Sequence, residues 1–459
     1  MRHSARKSLS HPIFCLSLSA LLLLFSGGCT LHRHSARTTT TVEVAVFEGG
    51  YGIAWHQQMA RQYERLHPDI RINLWGDPRV DEKIKPRILR NNPPDLANCT
   101  LPVWKLIVAG KLAPLDAALD SAAYGSRGSL RKATWRSTLA PGVLSAYEYQ
   151  GKSYAMPSNL NAWVCWYDKR QFRAHGWQPP QTWKQFMALC DQMKKEGVTP
   201  LAFQGKYAGS YGWPILLNLY ARLVPLSRWY AIQDLAPNAF LDPEFVHAAR
   251  LYQEMARVGF SPGTMAMSHT DSQGEWVNGR AAMIFCGLWL EHEMAKSIPN
   301  GFEMACFPVP FIPSEEGGEG DPRAVFGGGA ENFFVFKDAP HAREAMDFLK
   351  YMLSQEAAQS YVGKLNTLSP VQHATDGVMV SPALRSAVEV LDRRSRLVND
   401  RLSSLYLDFG KSAMPEALSK LLEQKITPEQ FAQSLQTSID QIRANPEVYK
   451  PPPQGIPSE

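Results

Sequence analysis

Hydrophobic and polar positions alternate in a way that breaks the chain into short strands and amphipathic helices. Val42 to Phe47 is an apolar run of strand length, followed by a glycine-rich turn at Glu48–Tyr51. Ile53 to Leu66 has helical spacing, and Ile70, Ile72 and Leu74 alternate with polar residues up to Trp75 as a second strand. A β-α-β start of this kind predicts a parallel sheet. Further on, Ser153 to Met156 reads as a short strand stopped by Pro157, and Ser158 to Asn161 as a polar loop. Ala162 to Tyr167 is apolar and too short for a helix. A short helix after Asp168-Lys169 ends near Gly176, and Thr182 with Gln185 forms a capping box. The helix it opens carries Trp183, Phe186, Met187, Cys190 and Met193 on one face.

Residues 184–260 are helix-rich, interrupted by loops at Gly205–Gly212 and Ala236–Pro243. Strands are expected at Ile284–Cys286, Phe307–Pro310 and Gly327–Phe336. His341 to Val362 predicts one long helix, with Ala345, Phe348, Leu349, Met352 and Leu353 on a common face. Thr427, Pro428 and Gln430 supply N-cap, first-turn proline and capping box for a last helix through Phe431, Leu435, Ile439 and Ile442. Residues from Pro446 onward read as a tail.

Length and composition narrow the class. The 459 residues suffice for two substantial cores, and 45% hydrophobic with 20% charged residues is ordinary for a folded soluble chain. The formal charge of +5 contains three cations in residues 1–28, Arg2, Arg6 and Lys7, with no acid there. What remains is no nucleic-acid footprint, and no basic stripe is present. The same 28 residues form an export signal. The apolar stretch Ile13–Phe25 is shorter than a membrane span needs, and Ser26-Gly27-Gly28 stand before Cys29. Residues 29–41, with four consecutive threonines, read as a tether. Cys99, Cys165, Cys190, Cys286 and Cys306 are an odd set with no C-x-x-C spacing, so their pairing stays open.

Several segments resemble one family. Gly151-Lys152-Ser153-Tyr154-Ala155-Met156-Pro157, Tyr167-Asp168-Lys169 and Gly176-Trp177-Gln178-Pro179-Pro180-Gln181-Thr182-Trp183 follow one another within 33 residues. Gly110 with Leu112-Ala113-Pro114-Leu115-Asp116, and Trp276–Met283 followed by Gly287-Leu288-Trp289, add to the series. Together they resemble the extracellular solute-binding proteins of ATP-binding-cassette importers, the sugar-binding type above all. Asp168 stands where that family usually has Asn. Ser26-Gly27-Gly28-Cys29 resembles a lipobox, in which Cys29 would take a diacylglycerol, although Ser26 replaces the usual leucine.

The resemblance implies an α/β, two-lobed periplasmic-binding-protein-like fold of type II, with discontinuous lobes joined by a hinge. The partition expected is 42–155 plus 325–370 for one lobe, 156–324 plus 371–445 for the other, and 446–459 as tail. It implies a monomeric, exported binder, anchored by lipid in the periplasm or on the outer face of the cell membrane. That binder captures a carbohydrate and docks on transmembrane permease subunits, with no catalysis, cofactor, metal or nucleic acid. A secreted carbohydrate-active enzyme, or the same fold holding a polyamine or iron, remains the alternative.

Catalytic patterns are incomplete. Gly151-Lys152-Ser153 and Gly410-Lys411-Ser412 lack the first glycine of a phosphate loop, G-x-S-x-G is absent, and Glu291-His292-Glu293 does not extend to H-E-x-x-H. Aromatic residues point instead to binding. Twelve Trp and 16 Tyr offer flat apolar faces for sugar C–H surfaces, with amides for the hydroxyls. The candidates are Tyr51, Asn159, Asn161, Tyr207, Trp213, Trp289 and Gly328.

The anchor is directly testable. Cys29→Ser is expected to abolish labelling by a radioactive fatty acid and to move the mature protein from the membrane to the soluble fraction. A wild-type protein already soluble and unlabelled would rule the anchor out.

Overall fold

The computed structural model describes residues 39–99, 101–125, 133–391 and 396–453. The signal stretch and Cys29 lie outside them. In chain order the strands are β1 (Thr40–Phe47), β2 (Ile70–Asp77), β3 (Leu96–Asn98), β4 (Met156–Ala162), β5 (Val164–Asp168), β6 (Thr199–Ala202), β7 (Ala281–Cys286), β8 (Met304–Phe307), β9 (Ala324–Val335) and β10 (Arg396–Val398). These ten form two separate sheets, and apart from them Glu148–Tyr149 pairs with Lys152–Ser153 as a two-stranded antiparallel ribbon. The larger runs β10-β9-β3-β1-β2, with β4 also paired to β9, and the smaller runs β8-β5-β7-β6.

The expected β-α-β start is present. β1 pairs in parallel with β2 from Thr40↔Ile70 to Phe47↔Asp77, and with β3 on its other side. Helix Ala54–Leu66 connects them, with Trp55, Met59, Ala60 and Tyr63 buried. The capping box at Thr182–Gln185 opens helix Trp183–Lys195, and that at Thr427–Gln430 opens Pro428–Ala444. Gly176, in the left-handed region, ends helix Lys169–His175. Cys99, Cys165, Cys190, Cys286 and Cys306 are all free thiols.

Five local expectations are corrected by tertiary contacts. Residues 158–161 are not a loop. They belong to β4, because β9 supplies an antiparallel partner from Met156↔Phe333 to Ala162↔Gly327. Pro157 does not stop that strand, since β4 pairs with β9 alone in its sheet and an edge tolerates a missing donor near its start. The loop expected at 205–212 is instead a 3-10 turn, Gly205–Tyr207, running into helix Ala208–Leu223, where Gly209 and Gly212 let the helix lie directly on Pro415 and Tyr252. The single helix expected at 341–362 is two, Ala342–Met352 and Gln355–Leu365, because Ser354 caps the second through the N–H of Ala357. The strand expected at 307–310 lies earlier, at β8, where it pairs with β5 from Met304↔Asp168 to Phe307↔Cys165.

The chain passes from the larger sheet to the smaller within one residue. β4 ends at Ala162, β5 begins at Val164, and the N–H of Trp163 between them donates to the carbonyl of Phe326 in β9 (2.8 Å). Both β4 and β10, expected in the second lobe, therefore hydrogen-bond into the larger sheet through β9. The return runs from β8 to β9 through residues 308–323, and one side chain clamps it. Arg222, 1% exposed, donates to the carbonyls of Val309 (3.3 and 3.2 Å), Asp321 (3.0 Å) and Pro322 (2.9 Å). Burial pushes its pKa down to about 10, yet the guanidinium stays charged at neutral pH.

Arg222→Met is expected to destabilise the protein by roughly 3 kcal/mol, because it leaves buried carbonyls without donors. Arg222→Lys is expected to rescue little of this, since an ammonium cannot reproduce the planar fork. Urea unfolding midpoints of the three proteins decide it. Near-equal midpoints for wild type and Arg222→Met would mean the clamp contributes no stability.

Candidate functional site

A cleft of about 720 Å³ opens between the two sheets. The larger sheet supplies Phe47 and Glu48 at the C-terminal end of β1, the turn Gly49-Gly50-Tyr51, Pro78 after β2, Asn159 and Asn161 from β4, and Ala330 and Glu331 from β9. The side of the smaller sheet supplies Tyr211, His269, Trp289 and Glu293. Ligands of open α/β sheets lie beyond the C-terminal ends of the strands, which is where Phe47–Tyr51 and Pro78 place this cleft.

One wall is aromatic. Trp289 stands edge-on to Trp163 (ring centroids 5.4 Å) and to Tyr211 (6.3 Å), and Tyr211 is parallel to His269 at 6.5 Å. Trp289 holds its place because Gly287 has no side chain. A Cβ there would fall 1.9 Å from the indole, so this close approach requires glycine. On the opposite side Tyr51 donates to or accepts from Thr367 Oγ1 (2.7 Å) and lies 5.8 Å from the His292 ring. Asn159 Nδ2 donates to the Tyr361 hydroxyl (3.2 Å). Asn161 Oδ1 accepts the N–H of Leu288 (2.9 Å), tying β4 to the turn that carries Trp289.

Carboxylates complete the lining. Glu293 Oε2 accepts from Gln273 Nε2 (2.6 Å), and its Oε1 is 3.7 Å from His269 Nε2. Glu331 is unusual in three respects. It takes φ +49° inside a strand, a left-handed conformation that side-chain-bearing residues rarely hold. Its backbone carbonyl is held by Asn98 Nδ2 (2.6 Å). Burial alone lifts its carboxyl pKa to about 7.

Of the residues singled out in the sequence, Tyr51, Asn159, Asn161 and Trp289 line this cleft together. Trp213 does not. It is 2% exposed within helix Ala208–Leu223, where its indole N–H donates to Asp400 Oδ2 (2.8 Å) and its ring packs near Phe240, Phe245 and Phe409. Tyr207 is 42% exposed and outside the lining. Gly328 pairs with Asn161 in the sheet and faces Asn399, so it supports the cleft floor without lining it. Sequence patterns missed Glu48, Tyr211, His269, Glu293 and Glu331. The only hint was proximity: Glu48 precedes Gly49-Gly50, and Glu331 follows Gly327-Gly328-Gly329 by two residues.

Glu331 should make the empty protein lose stability with rising pH. A carboxyl with a raised folded-state pKa favours folding below its ordinary value near 4.5, and that contribution is lost as pH climbs through about 7. Glu331→Gln is therefore expected to stabilise the empty protein by up to about 3 kcal/mol at mildly alkaline pH and by little in acid. Denaturant unfolding across that range checks it. A pH-independent difference between the two proteins would remove burial as the cause.

The profile of the bacterial extracellular solute-binding protein family matches residues 50–359. A diacetylchitobiose-binding protein of Streptomyces coelicolor is 25% identical over 342 residues, 71% of this chain and 68% of that one. A melibiose/raffinose/stachyose-binding protein of Bacillus subtilis is 23% identical over 357 residues, 74% and 76% of the two chains. Among solved structures, a chitin oligosaccharide binding protein superposes with TM-score 0.72 at 19% identity, covering 89% of this chain and 100% of that one. A raffinose-bound binding protein gives TM-score 0.67 at 19% identity, covering 88% and 100%. The two-lobed fold expected from the sequence is thus the fold observed.

Proposed function

Because the chain belongs to the bacterial extracellular solute-binding protein family, we propose that it captures a sugar or oligosaccharide between its lobes and delivers it to a membrane permease. The observation that carries this is the composition of the cleft. An indole and a phenol, Trp289 and Tyr211, form one wall with Glu293 beside them, and the amides of Asn159 and Asn161 and the carboxyl of Glu331 stand across it. Sugars present apolar C–H faces and a rim of hydroxyls, and this wall and rim match both. The names of relatives, each a binder of an oligosaccharide, support the same ligand class.

In this reading the lobes close by bending where β4 passes into β5 at Trp163 and where residues 308–323 return to β9. The lobe partition given from the sequence is kept, except that β4 and β10 move with the larger sheet. The closed form then presents a joint surface to the permease. Export and attachment through Cys29 place the protein at the outer face of the membrane. No described helix is long and apolar enough to cross one. The protein acts without turnover: it binds its ligand and releases it unchanged.

Trp289→Ala is expected to weaken oligosaccharide binding by about 2 kcal/mol, on the order of 30-fold, because a central aromatic anchor is lost. The melting temperature of the empty protein should change little, since the ring faces the cleft. Gly287→Ala should weaken binding too, by displacing the same indole. Calorimetric titration against mono- and oligosaccharides, with melting curves on the same samples, tests both. Unchanged affinity with a much lower melting point would assign Trp289 to the core, and release of reducing ends from the bound sugar would make the protein an enzyme.

A further inference from the structure

The charge of the cleft is opposite in sign to that of the chain. The whole sequence carries a formal +5, yet the lining contains three carboxylates, Glu48, Glu293 and Glu331, and no lysine or arginine. The one histidine of the lining, His269, already faces Glu293 at 3.7 Å. Resting on the sugar-binding reading above, we propose that the ligand is a cationic saccharide, an oligosaccharide bearing at least one free, protonated amine. An amino sugar fits both halves of the site: its ring stacks on Trp289, and its ammonium sits among the carboxylates.

Glu331 is the strongest support. Its carboxyl accepts no hydrogen bond from any described residue, although it is withdrawn from water far enough for burial to raise its pKa. Its backbone is held in a left-handed conformation in the middle of a strand, which presents the side chain to the cleft. A desolvated carboxylate with no donor is unfavourable until something supplies one. Glu293, by contrast, is fixed from behind by the fully buried Gln273, and so keeps its orientation when the site is empty. Neutral hydroxyls can donate to these groups, but only a cation offsets the negative charge of the lining and holds Glu331 in its ionised form. Among the described residues no three His, Cys, Asp or Glu side chains converge closely enough to hold a metal ion.

The test uses the full-length protein and two sugars that differ only in acetylation: N,N′-diacetylchitobiose and its de-N-acetylated counterpart. Spermidine serves as an amine without a sugar, and neutral gluco- and galacto-oligosaccharides complete the calorimetric panel at near-neutral pH and low salt. The deacetylated disaccharide is expected to bind at least about tenfold more tightly, about 1.4 kcal/mol. Added salt should reduce that preference. Glu331→Gln and Glu293→Gln are each expected to remove most of it. Equal or tighter binding of the acetylated or neutral sugars overturns the cationic ligand and leaves the sugar-binding reading standing. Spermidine binding as tightly as the amino sugar overturns the sugar reading itself, and failure of every sugar in the panel overturns both.

Discussion

The antiparallel pairing of β4 with β9 is the constraint on which the molecule depends. It holds Met156–Ala162 in the larger sheet, and two residues after Ala162 the chain is already in the smaller one. The pairing is possible because β9 opens this stretch with Gly327, where a Cβ would fall 2.3 Å from the Asn161 carbonyl. A side chain at that point would push the strands apart. Backbone contact between these two strands therefore fixes the point at which the chain leaves the larger sheet for the smaller. Trp163 completes the joint by donating its N–H to Phe326 of β9.

The same pairing builds the floor of the site. Asn159 and Asn161 alternate along β4, and Glu331 projects from the partner strand within two residues of the glycine run. Asn161 also reaches the smaller sheet through Leu288, so the turn bearing Trp289 is anchored to the larger sheet at one hydrogen bond. The return crossing is held differently. Arg222 satisfies four hydrogen bonds to the carbonyls of Val309, Asp321 and Pro322, fixing residues 308–323 against the end of helix Ala208–Leu223. One crossing is a short backbone joint, and the other is a loop fastened to a buried charge.

Polar groups in this cleft fall into two kinds. Tyr51, Asn159 and Asn161 already spend hydrogen bonds on Thr367, Tyr361 and Leu288, which makes them rigid. Glu331 spends none through its carboxyl and carries backbone strain as well, so it is the member of the lining whose free energy has most to gain from a ligand. On the proposed binding reading, a site built this way trades stability when empty for affinity when filled.

The sequence by itself determined the elements whose signals are local. Capping boxes at Thr182 and Thr427, the left-handed Gly176, the β-α-β start and the apolar face of helix Trp183–Lys195 all depend on residues within a few positions of one another. The family motifs brought Trp289 into view for the same reason, through the short segment Gly287-Leu288-Trp289. Tertiary structure decided the rest. Ser158–Asn161 is locally polar and loop-like, and it is a strand only because β9, more than 160 residues away, offers its backbone. Trp213 looks like Trp289 in sequence, but packing buries one behind Phe240 and leaves the other on the cleft. Glu331 carries no sequence signal at all, since its meaning lies in a desolvated position and a positive φ that only the folded sheet creates.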